Sequence, residues 1–192
     1  MLKSKKFIAL TAAVVLATTT AAALAATGTL STKDNALQQS RFNAVQAVDI
    51  AVQKVGGVAE SVDFKHKNGS SYFEVDVIAG NQKHEVKIDA ASGQVLNSKV
   101  ENNHDTDGDS AQLQQTGVSL HQAISAAVAK TGGVAKEAEW ENKHGQSYYK
   151  VETIANGQEY DVKIDAQNGS VMSAQIDKDD DHDHHDMRNT NS

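Results

Sequence analysis

The chain has 192 residues, no cysteine, a formal net charge of -7 and 39% hydrophobic residues. The lack of cysteine excludes disulfides, thiolate zinc sites and a cysteine nucleophile, and the negative charge makes nucleic acid an unfavourable partner. Because only 5% of the residues are aromatic, the core must come mainly from Val, Ile and Ala, which suits small, thin domains.

The first 25 residues have the pattern of an export signal. Three lysines in the first six residues precede an apolar run over 7–16 and small residues that end near Ala25. This order predicts a signal peptide over 1–25, cleaved after Ala25 or Ala26. The apolar run is shorter than the roughly 20 residues of a membrane span. We therefore expect an exported protein, secreted or held in the periplasm or cell wall, with no stable membrane span after cleavage.

The rest of the chain contains an internal duplication. A shift of 76 positions places Gly56-Gly57-Val58-Ala59 on Gly132-Gly133-Val134-Ala135 without a gap. Roughly 24 of about 57 aligned pairs are identical, which indicates two copies of one module. The predicted boundaries are a flexible segment at 26–42, repeat 1 at 43–101, an acidic linker at 102–118, repeat 2 at 119–177 and a disordered Asp/His-rich tail at 178–192.

Each repeat begins with a predicted helix. Asn43 and Gln46, and at the same positions of repeat 2 Ser119 and Gln122, have the spacing of a capping box. Apolar residues then follow at i, i+3, i+4 and i+7, which places them on one face. In repeat 1 these residues are Val48, Ala51, Val52 and Val55. A Gly-Gly pair ends each helix, since glycine adopts the left-handed cap without steric cost.

Beyond the glycines the pattern alternates with a period of two, which predicts strands with one buried face. Phe73, Val75 and Val77 alternate with acidic residues, and short turns such as Asn68-Gly69 separate the strands. Three strands per repeat are expected. The predicted fold class is α+β, with two tandem small modules, each one helix packed on a three-stranded antiparallel sheet.

The helix, the Gly-Gly stop, the strands and the ending Asp89-Ala90-x-x-Gly93, repeated as Asp165-Ala166-x-x-Gly169, resemble the PepSY family. The resemblance implies a non-enzymatic module of exported bacterial proteins that inhibits or regulates peptidases. Its expected partner is an extracellular or envelope peptidase, or another envelope protein. No His-Glu-x-x-His occurs, because Ile88 stands where the second histidine after His84-Glu85 would be.

The polar residues of the repeats predict turns and not catalysis. Asp89 and Asp165 each precede a turn glycine, so their carboxylates are expected to accept local amide hydrogen bonds. No serine is placed beside a base and an acid in a recognisable pattern. We expect no enzyme activity, no catalytic residue and no cofactor. The predicted function is binding through exposed sheet edges or the groove between helix and sheet; a structural surface protein remains open.

The tail carries the one candidate metal site. Its ligands would be His182, His184, His185, Asp181 and Asp183. Imidazole with carboxylate can bind Zn²⁺, Ni²⁺ or Cu²⁺, but binding would be weak because no apolar residue fixes the geometry. An extracytoplasmic metal-binding protein is therefore the alternative function. The acidic stretch 105–109 of the linker lacks the glutamate that closes a calcium loop, so we expect no calcium site there.

Overall fold

The structure, a computed structural model, describes residues 30–101 and 108–177. The helices are α1 (Thr32–Gln38), α2 (Ala44–Val55), α3 (Gly108–Leu113) and α4 (Leu120–Thr131). The strands are β1 (Val58–Lys67), β2 (Ser70–Ala79), β3 (Gln82–Asp89), β4 (Val95–Glu101), β5 (Val134–Lys143), β6 (Gln146–Ala155), β7 (Gln158–Asp165) and β8 (Val171–Ile176). The predicted signal peptide and the Asp/His tail lie outside the described residues.

All eight strands belong to one antiparallel sheet in the order β4-β3-β2-β1-β5-β6-β7-β8. The α+β class is confirmed, but the prediction of three strands per repeat was wrong, because β4 and β8 each add a fourth. Nearly every residue of these two strands is exposed. Neither strand is therefore buried on one side only, which is what produces a recognisable alternation of hydrophobic and polar residues in the sequence.

The two repeats meet about an approximate two-fold axis. β1 pairs with β5 antiparallel through Ser61↔Glu139, Val62↔Ala138 and Asp63↔Glu137. Val62 and Ala138 are equivalent positions of the duplication, so each repeat presents the same strand to the other. The two predicted sheets are therefore one continuous sheet, and both halves share its central strands.

Helices α2 and α4 cover one face of this sheet, and both predicted capping boxes are confirmed. Gln46 N donates to the side chain of Asn43 at 2.9 Å, and Gln122 N donates to Ser119 Oγ at 3.3 Å. Gly132 ends α4 in the predicted left-handed conformation with a φ of 74°, whereas Gly56 ends α2 with a positive φ of 76° outside the left-handed helical region; glycine adopts both at little steric cost. The helix residues that face the sheet are mainly small, which lets the helices approach it closely. Those with no exposed surface are Ala47, Ala51, Ala123 and Ala127.

The core lies between these helices and the inward side chains of the inner strands. Phe64 and Phe73 form an edge-to-face pair with ring centroids 5.2 Å apart. Tyr149 occupies the position in repeat 2 that Phe73 has in repeat 1, and its hydroxyl donates to the carbonyl of Val118 at 2.9 Å. The predicted inward positions Phe73, Val75 and Val77 of β2 are confirmed as fully buried, and Val62 of β1 is fully buried beside them.

Helices α1 and α3 lie in the segments that the sequence assigned to a flexible lead-in and a linker. Leu37 of α1 and Leu113 of α3 are equivalent positions, and both are buried. α1 contacts β1 and β5, one strand from each repeat. It begins with a capping box in which Asp34 N donates to Ser31 Oγ at 3.1 Å. Within 30–101 and 108–177 no helix is long and apolar enough to cross a membrane.

Candidate interaction surface

The face of the sheet opposite α2 and α4 is lined with charged side chains, and we call it the polar face. Successive residues of a strand point to opposite faces, so the alternation that buries Val62 and Phe64 directs Asp63 and Lys65 to this side. The same holds for the acidic residues of β2 that flank Val75. The polar face therefore runs across both repeats as a single surface.

Ion pairs hold the side chains of the polar face in repeat 1. Lys83 lies 2.9 Å from Glu60 and 2.8 Å from Asp76. Burial alone would lower the pKa of Lys83, but its hydrogen bonds to Asp76 and Glu60 outweigh burial and raise the pKa well above its usual value. Lys87 lies between Glu74 at 3.0 Å and Glu85 at 3.3 Å. These fixed charges form a preorganised surface.

Repeat 2 has an equivalent network in which one ion pair has the opposite polarity. Lys136 occupies the position of Glu60 and pairs at 2.5 Å with Glu159, which occupies the position of Lys83. Lys150 bridges Glu152 at 2.8 Å and Asp161 at 3.3 Å. The ion-paired framework is thus kept in both repeats, while the pattern of charge that it presents differs between them.

Acidic residues concentrate where the repeats join. Glu137 and Glu139 of β5 face Asp63 and Ser61 of β1 in the sheet register. A cavity of about 270 Å³ opens there, lined mostly by carboxylates. Among the residues that the structure describes, Glu137 and Glu139 have no ion-pair partner within 4.0 Å, whereas Lys33 lies 3.3 Å from Asp63. The centre of the polar face therefore carries uncompensated negative charge.

The pKa values of Glu137 and Glu139 show the same excess of negative charge. Burial raises the pKa of Glu137, and the nearby negative charges of Asp63 and Glu152 raise it further. Burial likewise raises the pKa of Glu139, with Glu141 and Glu60 adding to the effect. A positive charge placed beside Glu137 or Glu139 would stabilise the ionised form of that carboxylate.

A pair of related grooves lies on the other face, where α2 and α4 pack together. One groove, of about 420 Å³, lies between the start of α2 and the end of α4 and includes Val45 and Ser125. Its equivalent, of about 260 Å³, has His121 and Asp49 at those positions. His121 Nδ1 lies 2.8 Å from Asp49 across this second groove. Each groove is lined by residues of both repeats, so neither is the groove that the sequence predicted between the helix and the sheet of one repeat.

The aspartates that precede the turns act as predicted. Asp89 Oδ1 accepts from the backbone N–H groups of Ala91 at 3.1 Å and Ser92 at 2.7 Å. Its hydrogen bond from the Ser92 hydroxyl is the main reason why the pKa of Asp89 lies below its usual value. Asp165 accepts the equivalent bond from the N–H of Gln167 at 2.8 Å. Turn formation by Asp89 and Asp165 is confirmed.

The five predicted metal ligands of the tail fall outside the described residues, so that site stays a prediction. Within the described part of the chain, no group of three or more His, Asp or Glu side chains is arranged to hold a metal ion. Sequence reasoning also missed the acidic junction. Asp63 and Glu137 are brought together only by the pairing of β1 with β5, which no local pattern reveals.

The fold and its polar face define a tandem-repeat α+β protein in which two equivalent halves share one sheet. A sequence model of the PepSY family, described as "Peptidase propeptide and YPEB domain", matches residues 43–99 and 117–175. The match covers more than half of the chain. The chain belongs to the PepSY family.

One curated relative is the "Uncharacterized protein YkoJ" of Bacillus subtilis (strain 168), 25% identical over 148 residues that cover 77% of this chain and 79% of the relative. Among solved structures, a candidate lipoprotein of Clostridium difficile 630 is 21% identical with a TM-score of 0.46, covering 73% of this chain and 96% of its own. A BLIP-like protein of Bacteroides fragilis NCTC 9343 is 18% identical with a TM-score of 0.26, covering 76% and 95%.

Proposed function

We propose that this protein is a non-enzymatic module, exported from the cytoplasm, that binds another protein through the polar face of its sheet. The observation that carries the proposal is a broad surface of ion-paired side chains, not covered by α2 or α4, with uncompensated carboxylates at its centre. Side chains that are already held in place lose little conformational freedom when a partner binds.

The size of the polar face fits a protein partner. Eight strands about 4.8 Å apart span about 34 Å, and strands of six to ten residues are about 20 to 33 Å long, which gives roughly 1,000 Å². A specific interface of standard size buries about 800 Å² on each partner. The polar face, at whose centre Lys33 of α1 pairs with Asp63, is therefore large enough to supply a whole interface.

The charge of the polar face favours a partner patch that carries a basic residue. Among the described residues Glu137 and Glu139 have no ion-pair partner within 4.0 Å and nearby negative charges raise the pKa of both, so a lysine or arginine of the partner could form such a pair. We propose a secreted or envelope peptidase as the partner, with inhibition or regulation as the outcome. The support is the description of the family as a peptidase propeptide domain.

The test titrates the purified protein into purified secreted peptidases of the same organism and measures peptide hydrolysis. We expect inhibition of at least one peptidase, weakened at least tenfold by Glu139→Lys. This change should leave the fold intact, because it relieves repulsion from Glu60 and Glu141. The matched control is Asp49→Lys, the same change of charge at an exposed position of α2. Unchanged hydrolysis by every peptidase, or equal effects of the two variants, would exclude the polar face as the inhibitory surface.

Metal binding by the Asp/His tail is the second candidate function. What favours it is the density of imidazole and carboxylate groups at 181–185. The repeats would then act as a scaffold, and metal affinity would depend on the tail alone.

A further inference from the structure

Among the residues that the structure describes, no strand pairs with the outer edge of β8, which is distinct from the polar face. On its inner side β8 pairs with β7, and Asp177 N continues that ladder by donating to the carbonyl of Glu159 at 2.9 Å. In an antiparallel ladder the bonding direction alternates along the strand. The N–H groups of Ala174 and Ile176 therefore point away from β7, towards the outside of the sheet.

The side chains of β8 do not protect this edge. The strand reads Val-Met-Ser-Ala-Gln-Ile, without charge or proline. Val171, Met172 and Ile176 are 40%, 41% and 45% exposed. Natural proteins usually guard an edge strand with charged residues, lysine above all, or with proline. β8 has neither kind of guard.

The opposite edge of the sheet provides an internal comparison. β4 is the equivalent strand of repeat 1, and it carries Lys99 where β8 carries Gln175. Lys99 lies 3.1 Å from Glu85, and its charge remains about half exposed. β4 thus carries a lysine that disfavours pairing with a further strand, and β8 lacks one, although both are outermost strands of the sheet.

The size and charge of the β8 edge disfavour a second copy of the chain as its occupant. Six residues at about 3.4 Å each, in a sheet about 10 Å thick, present roughly 200 Å² per copy. Two copies would bury roughly 400 Å², against about 1,200 Å² or more for a stable dimer. Each copy also has a net charge of -7, so two copies repel one another.

We propose that β8 accepts an extended, uncharged segment of a different protein by antiparallel strand addition. Backbone hydrogen bonds would form at Ala174 and Ile176. On the incoming strand, alternate apolar residues would lie beside Ile176, on the side of the sheet that α4 covers, because Ile176 stands opposite Tyr160 of the inner face. This site is independent of the polar face, and the protein could use both at once.

The test uses an acetylated octapeptide of alternating valine and threonine, made soluble by a polyethylene glycol group, titrated into the ¹⁵N-labelled full-length protein. We expect amide shifts concentrated at residues 171–176. Ala174→Pro should weaken binding at least fivefold, because it removes an outward N–H while sparing the ladder to β7. Ser98→Pro makes the equivalent change on β4 and should leave binding unchanged.

Gln175→Lys gives a second variant that does not alter the backbone. The new lysine would stand opposite Asp161 in the register, as Lys99 stands opposite Glu85. We expect it to preserve the fold and weaken peptide binding at least threefold. The proposal is overturned if the peptide does not bind, if β4 shifts as much as β8, or if neither variant at β8 weakens binding. It is also overturned if the protein alone forms dimers that Ala174→Pro dissociates.

Discussion

Replacing Glu137 by glutamine is expected to stabilise the protein at neutral pH. Glu137 stands opposite Asp63 in the sheet; the negative charges of Asp63, Glu152 and Glu139 raise its pKa, whereas the cations Lys33 and Lys65 interact favourably with its charge. Like charges directly opposite on neighbouring strands destabilise a sheet by about 0.2 to 1 kcal/mol. Glutamine keeps the shape of the side chain and removes this repulsion. At pH 7 the melting temperature should therefore rise by about 1 to 3 °C.

The pH dependence of this effect has a definite sign. The pKa of Glu137 is higher in the folded than in the unfolded protein, so the folded state takes up the proton more readily. The stabilisation that comes from protonating Glu137 is complete below the unfolded pKa of about 4.3 and is lost as the pH rises through the folded pKa. Glu137→Gln should therefore match the wild type near pH 4 and exceed it increasingly up to pH 7.

Urea unfolding at pH 4, 5.5 and 7 measures this difference, with the fluorescence of Trp140 as the signal because it is the one tryptophan and is buried. Glu74→Gln is the matched control on the same face. It removes the partner of Lys87 at 3.0 Å and should be neutral or destabilising at pH 7. A Glu137→Gln protein that is no more stable than the wild type at pH 7, or whose advantage grows on acidification, would refute the reasoning.

Three further predictions concern the core, a turn and the tail. Gly57→Ala should lower the free energy of unfolding by about 1 to 3 kcal/mol or more, because a Cβ there would lie 2.2 Å from the carbonyl oxygen of Ile78. Gly69→Ala, the control with open space around it, should lower it by only about 1 kcal/mol. Equal losses of the two variants in urea unfolding would contradict this prediction. Tyr149→Phe should cost about 1 kcal/mol, since it removes a 2.9 Å hydrogen bond to a backbone carbonyl, and calorimetry that shows no loss would count against that bond. Truncation after Asp177 should abolish Ni²⁺ binding in titration calorimetry, and undiminished binding would locate the ligands elsewhere.

Local features of the fold could be predicted from the sequence because local chemistry determines them. The pair Asn43 and Gln46 predicted the start of α2, and alternation around Val75 predicted an inner strand. β4 was missed because its residues are exposed on both sides, so its pairing with β3 leaves no period in the sequence. α1 was missed because a helix of seven residues provides too few turns for an apolar stripe to repeat.

The candidate surface was harder to predict than the elements that carry it. Charged residues alternate with apolar ones along β1 and β5, so a polar face could be expected for each repeat separately. The contact of Asp63 with Glu137 depends on which edges of the two sheets meet, and neither repeat contains that information. The unguarded edge of β8 could not be recognised before the strand itself was known.

The approximate two-fold join between β1 and β5 also has a consequence for the order of folding. Six of the seven strand pairs connect neighbours in the chain, whereas Val62 and Ala138 meet across 76 positions. Closing a long loop costs more chain entropy than closing a hairpin, so contacts of low sequence separation are favoured early. The four strands of each repeat are therefore expected to form first, through their own hairpins. The two repeats would then dock in a later step, as two subunits of a dimer do. A φ-value near zero for a contact made between the repeats, such as that of Asp49 with His121, would be the kinetic signature of this late docking.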